Sequence, residues 1–198
     1  MISNSNQGAK VRKIDEFNAS DRIGVKLLEN SVHFLTGEID QFNINECIQW
    51  IIYENLDKKH DKILTLYINS TGGDLYQAFA LIDIINTSKL AIRTIGIGSI
   101  MSAAFLIFAS GTKGERYIAP NTGIMCHQFS EGTEAKYHDI KAQMKETELC
   151  NQRMLEILKY ATGLPTAKVK SKLLPPSDMY FTAQEMIDLG IADKLLCD

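Results

Sequence analysis

Ser102, His127 and Asp178 are three residues of this 198-residue chain whose types can run nucleophilic acyl chemistry together. A serine hydroxyl is a weak nucleophile until a base takes its proton. An imidazole is the usual base, and a carboxylate holds the imidazole in one tautomer. The charge that develops on the attacked carbonyl oxygen needs two backbone N–H groups aimed at it. Ser102 falls where an apolar strand ends and a short, nearly all-apolar helix, Ser102–Ser110, begins. The first amides of a helix have no internal acceptor, so the N–H of Ala103 is free to face an oxyanion. Gly72-Gly73 follow another strand, where paired glycines permit a sharp turn and close approach of a ligand. The amide of Gly73 is the candidate second donor.

Each residue also has a plainer reading. Ser102 is a good helix N-cap, and Gly72-Gly73 a good turn before a helix. His127 closes the run Gly-Ile-Met-Cys-His and has the most apolar approach of the four histidines; His33 is within a β-run, and His60 and His138 lie among charges. A structural histidine is the default for any one of them. Asp178 follows Pro175-Pro176-Ser177 and precedes an apolar run, a setting that predicts partial burial. The helix start nearby is already explained by a capping box of Thr182 and Glu185, which leaves Asp178 without a local role. On residue types alone, the set points to an α/β hydrolase-like or acyl-binding enzyme.

These residues need a scaffold. Short strands are predicted at Val32–Leu35, Ile63–Ile68, Ala91–Ile97, Arg116–Ile118 and Gly123–Cys126, with a break at Gly98-Ser99. Helices are predicted at Asn43–Asn55 and Leu75–Asn86, with about six helical residues from Ala183. Alternation of this kind implies an α/β fold with parallel strands and helical crossovers. A long charged helix, Glu134–Ala161, is too long for one layer of a small domain and is expected to project towards a sister subunit.

Composition narrows the classes. Net charge is −3, with 45% apolar and 23% charged residues. A chain held to nucleic acid by phosphate contacts would carry a basic surplus, so that class is set aside. Cys47, Cys126, Cys150 and Cys197 form no C-x-x-C pair and read as buried free thiols, consistent with a reducing cytoplasm. Residues 1–20 are polar and read as a flexible arm without a signal-peptide apolar region. The longest apolar stretch, near Ser99–Ala109, is too short to span a bilayer, so no membrane partner is expected, and no cysteine has a histidine at metal-ligand spacing, so no metal is expected. Residues 21–198 read as one domain.

The ordered motifs resemble the proteolytic subunit of the Clp (caseinolytic) protease family. Leu66-Tyr-Ile-Asn-Ser-Thr-Gly-Gly73 is similar to its glycine-pair motif, and Met101-Ser102-Ala-Ala-Phe-Leu-Ile107 to its nucleophile motif. Pro120-Asn121 through Met125-Cys126-His127-Gln128 resembles its histidine motif. Asp178-Met-Tyr-Phe-Thr-Ala183 with Glu185 resembles its acid motif, and Gly190-Ile-Ala-Asp193 its closing turn. The likeness runs from about Ser31 to Leu196. It implies a ClpP/crotonase-like fold of repeated β-β-α/βαβ units, with a handle region at about 128–162 and an N-terminal arm acting as an axial loop. It also implies a serine endopeptidase with Ser102, His127 and Asp178 as triad and the Gly73 and Ala103 amides as oxyanion hole. By the same resemblance, heptameric rings stacked as a 14-mer would enclose the sites in a chamber that receives unfolded proteins. No Walker A sequence occurs, so no cofactor is expected in this subunit; ATP would be used by a partner AAA+ unfoldase such as ClpX, ClpA or ClpC.

The chain departs from the family pattern at several points. Thr71 stands where the family usually has proline, and Ala103-Ala104 where it has Met-Gly. The segment Phe129-Ser-Glu-Gly-Thr-Glu-Ala135 has fewer glycines than the family's substrate-pairing strand. Pro176-Ser177 replace charged residues that bridge the rings, and Thr65 and Thr87 replace aromatics of the unfoldase-docking pocket. Two alternative activities follow: a catalytically silent or regulatory subunit of a mixed ring, and a crotonase-like acyl-CoA enzyme. A non-catalytic adaptor of a Clp system is a third.

Overall fold

Alternating apolar residues make Leu64–Ser70 a strand with one buried face. In the computed structural model, which describes residues 18–56, 62–130, 132 and 136–196, seven strands and seven helices are seen. The order is α1 (Ala19–Glu29), β1 (Val32–Thr36), α2 (Gln41–Leu56), β2 (Leu64–Ser70), α3 (Leu75–Thr87), β3 (Ile92–Met101) and α4 (Ala103–Ala109). It continues with β4 (Arg116–Ile118), β5 (Gly123–Cys126), α5 (Tyr137–Thr162), α6 (Thr166–Lys172), β6 (Met179–Phe181), α7 (Ala183–Asp188) and β7 (Lys194–Leu195). The proposed arm lies almost wholly in residues 1–17, outside the described residues, as do His60, Glu134 and Cys197.

β1, β2, β3, β4 and β7 pair in that order, all in parallel. Leu64, Leu66 and Ile68 of β2 point into the core while Thr65, Tyr67 and Asn69 take the other face. β3 is the hinge of the sheet. Its first half pairs with β4, and its second half, Ser99–Met101, pairs with β5. β6 then pairs antiparallel with β5, an exception to the all-parallel expectation.

The expected break at Gly98-Ser99 is a kink inside β3 rather than an end. Gly98 takes a left-handed φ of 60°, and a Cβ there would collide with the Asn69 side chain. Asn69 Oδ1 instead accepts the Ser99 N–H at 3.0 Å. The strand therefore bends, changes partners, and delivers residue 102 to the end of the sheet.

α4 carries no polar side chain, and all seven of its residues are buried. Such a helix has no solvent face and must be enclosed on every side. It touches α3, β3 and α5. A second internal anchor is polar. The Arg116 side chain, 3% exposed, forms a two-point ion pair with Asp193 (2.9 and 2.7 Å) and donates to the Ala161 carbonyl at 3.0 Å. It joins β4, the C-terminal strand and the end of α5. Burial alone would raise the Asp193 carboxyl, but hydrogen bonds from Arg116 and from the Arg116 and Gly114 backbone outweigh it and hold its pKa below the ordinary value.

α5 spans 26 residues, about 39 Å at 1.5 Å per residue. Its buried residues, Cys150, Met154, Leu155, Leu158 and Ala161, all fall in the C-terminal half. Residues 137–149 have no buried member, so the helix projects as the sequence predicts. α1 and α6 lie in segments where no helix was predicted. They bury no residue and one residue, Val169, respectively, and so leave little periodic signal. The helix from Ala183 begins with the expected capping box: Thr182 and Glu185 each satisfy the other's backbone.

Candidate active site

Ser102 is not a side-chain helix cap. Its backbone sits at φ 54° and ψ −122°, and its hydroxyl makes no cap hydrogen bond. A non-glycine residue there is strained by about 1–3 kcal/mol and persists only where its surroundings over-determine it. Here the surroundings do. The Ser102 N–H donates to the Met125 carbonyl at 2.9 Å, and α4 is locked in the core behind it. On the other side, Gly72 leaves no room for a side chain: a Cβ there would lie 2.7 Å from Ser102 Cβ and 2.9 Å from the Met101 oxygen. This strand-to-helix turn holds the hydroxyl out of the helix, a geometry used to expose nucleophiles.

The hydroxyl meets His127. Ser102 Oγ and His127 Nε2 are 2.7 Å apart, although 25 residues separate them in sequence. β5 pairs in parallel with the end of β3, with Met125 opposite Met101. The residue that follows the end of each strand, Ser102 after β3 and His127 after β5, therefore falls at the same end of the sheet. Cys126, next in the chain, is no rival nucleophile: it is buried, and burial pushes its thiol up to about 12.

Two amides flank this pair. Gly73 is tied to Ile39 by an isolated bridge in which Ile39 N–H donates to Gly72 and Asp74 N–H donates to Ile39. That pattern leaves the N–H of Gly73 itself without an acceptor among the described residues. Ala103 N–H, the first of α4, is likewise unused. Gly73, Ser102, Ala103 and His127 line one cleft of about 260 Å³. Leu75, Phe129 and Met154 give it an apolar side, and Gln128 and Ser130 a polar rim. Leu75 and Met154 had no distinguishing sequence signal, whereas Gln128 belongs to the histidine motif and Phe129 and Ser130 to the segment compared with the family's substrate-pairing strand.

Asp178 behaves differently from the sequence expectation of partial burial. It is exposed, and no hydrogen bond joins it to His127. The reason is its place one residue outside β6, on a loop that no described residue covers. Its backbone position is nonetheless suggestive. β5 and β6 pair as Ile124 with Phe181, Met125 with Tyr180 and Cys126 with Met179. One further step sets Asp178 opposite His127, and opposite residues in an antiparallel pair present side chains to the same face. The structure thus joins Ser102 to His127 directly, while Asp178 makes no hydrogen bond to His127 and follows it only in the continued register of β5 and β6.

Among the described residues no cluster of three or more His, Cys, Asp or Glu could hold a metal ion, and no helix is long and apolar enough to cross a membrane. Cys47, Cys126 and Cys150 are free and buried.

Comparison with known proteins agrees with this architecture. The family profile described as Clp protease matches residues 15–198. The chain is 31% identical over 172 residues to an ATP-dependent Clp protease proteolytic subunit 1 from Corynebacterium diphtheriae, an alignment covering 86% of this chain and 80% of the relative.

Proposed function

The chain belongs to the Clp protease family, and from that premise we propose that it is a serine endopeptidase that cleaves unfolded proteins and peptides. The observation that carries the reading is the 2.7 Å approach of His127 Nε2 to Ser102 Oγ beside two amides without acceptors. In the proposed reaction, His127 takes the hydroxyl proton as Ser102 attacks the peptide carbonyl. The N–H groups of Gly73 and Ala103 bind the oxyanion, worth about 3 kcal/mol of barrier per donor. His127 returns the proton to the departing amine, and water then releases the acyl group by the same steps. Asp178 turns towards the imidazole across the β5–β6 register and stabilises its charged form.

The rest of the proposal follows the family. Heptameric rings, stacked in pairs through α5, enclose the sites, and an AAA+ unfoldase supplies the ATP chemistry and feeds the chamber. The protein works in the cytoplasm, or in an equivalent compartment of a host cell or organelle.

One observation favours a second reading. The exposed, unattached Asp178 suits a silent subunit of a mixed ring, in which His127 is never held for catalysis. A fluorophosphonate probe separates the two. We expect stoichiometric labelling at Ser102 and cleavage of a fluorogenic peptide by the pure protein. Ser102→Ala should remove both, with cleavage falling by more than about a thousandfold while native particle mass is unchanged. Cleavage that survives in pure Ser102→Ala refutes the triad; absence of label in the wild type selects the silent subunit.

A further inference from the structure

The segment after His127 is a wall of the cleft that has space on both sides at Gln128. In front lies the 260 Å³ cleft with Ser102. Behind lies a larger cavity of about 780 Å³, between α5, α6 and the loop before Asp178. Gln128 lines both spaces. Interiors are normally fixed by close packing, which holds a side chain from all directions. Gln128 has open space on both sides and lacks that support, so specific bonds add to the partial core packing of Phe129 in fixing the segment.

Two carboxamides supply these bonds. Gln128 Nε2 donates to the Leu174 carbonyl at 2.9 Å. Asn151 Oδ1, on α5, accepts the Phe129 N–H at 3.0 Å, while Asn151 Nδ2 donates to the Thr147 carbonyl of its own helix at 3.0 Å. The second bond fixes the Asn151 amide so that its oxygen faces the wall. Asn151 lines the rear cavity, and Met154, three residues on, lines the cleft, so the same stretch of α5 passes both spaces. Phe129 rests its ring partly against the core and faces Leu75 and Met154 across the cleft.

We propose that Asn151 is a positioning residue for the hydrolysis described above, a proposal that rests on that reading. By holding the Phe129 N–H, it sets where the Phe129 ring stands and hence how large a side chain fits next to Ser102. It also takes that N–H away from any extended peptide lying in the cleft. Substrate selection in this protein thus depends on a residue of the projecting helix that does not line the substrate cleft. With the bond gone, the wall swings into the rear cavity, the cleft widens, and bulkier side chains are accepted while well-fitting ones are held less tightly.

The test uses the assembled wild-type protein with Asn151→Ala and Asn151→Asp. Alanine suits a helix interior, so the first variant should fold. Aspartate keeps an acceptor for Phe129 and loses only the donor to Thr147. Fluorogenic peptides carrying Ala, Leu, Phe or Trp before the cleaved bond give kcat and KM, and hydrogen exchange reports the Phe129 amide directly. For Asn151→Ala we expect rapid exchange at Phe129. KM for the preferred peptide should rise about tenfold with kcat changed less than about threefold, and preference over Trp should shrink by a similar factor. Asn151→Asp should restore protection and selectivity. Unchanged selectivity in Asn151→Ala, with fluorophosphonate labelling of Ser102 intact, overturns this proposal alone. Failure of the wild type to take the probe overturns the peptidase reading and this proposal with it.

Discussion

The two halves of the candidate site are built in opposite ways. The nucleophile half, Gly72, Gly73, Ser102 and Ala103, stands on a helix with every residue buried and on the central strand β3. The acid half, Asp178 and the wall after His127, stands on an exposed loop and a segment held by two carboxamide bonds. His127 joins the halves from the end of β5. The contrast teaches that strain can be stored only where packing is dense: Ser102 keeps its left-handed backbone because α4 and Gly72 leave it no alternative. The acid half has no such enforcement.

Mutations should divide along the same line. The largest stability loss is expected from Phe105→Ala in α4. Phe105 is fully buried, and truncation of a buried phenylalanine costs about 3–5 kcal/mol. A melt at fixed protein concentration measures it; a loss below about 1 kcal/mol would mean that α4 is not the rigid support.

Next comes Asp193→Ala, which leaves the Arg116 guanidinium buried without its carboxylate partner. Removing one member of such a pair costs about 3 kcal/mol. The same pair sets an acid limit. The folded Asp193 pKa lies below the unfolded value of about 3.9, so its stabilisation is complete above that pH and is lost as pH falls through the folded pKa. The wild-type melting temperature should therefore drop below about pH 4, and the drop should be shallower in Asp193→Asn. Equal slopes would remove this pair from the acid response.

Gly72→Ala should cost about 1–3 kcal/mol, since residue 72 sits at φ 101° and an added methyl meets Ser102. Because that methyl presses on the nucleophile, peptide cleavage should fall by more than about a hundredfold, beyond what the stability change explains. Wild-type turnover in a folded variant would break the link between the glycine turn and the site.

The smallest stability effect belongs to the open half. Asp178→Asn should change the melt by less than about 0.5 kcal/mol, as for most exposed positions. If Asp178 completes the proposed triad, cleavage should nonetheless fall by about a hundredfold or more, because the imidazole would lose its charged partner. A fall in stability without a fall in cleavage would reverse the comparison.

Much of this was legible in the chain. Types and order marked Ser102, His127, Asp178 and the glycine pair, and apolar runs located β4 and β5 to the residue. The capping box at Thr182 was local chemistry and appeared as expected. β6, β7, α1 and α6 were harder. They are two to eleven residues long and bury little, so their pattern barely differs from a loop. Asp178 was misjudged on burial because proline-rich neighbours suggest stiffness, whereas burial depends on what packs above.

The sequence alone determined which groups are available for acyl chemistry, that α4 must be enclosed, and that α5 outgrows its layer, since side-chain chemistry and periodicity are properties of neighbours along the chain. Only the tertiary structure decided that the Ser102 hydroxyl turns to His127 rather than capping its helix, that β3 bends at Gly98 to change partners, and that Asn151 reaches the Phe129 amide. Each of these joins residues 22 to 30 positions apart. Such contacts are set by strand register and helix docking, which no local stretch of sequence encodes by itself.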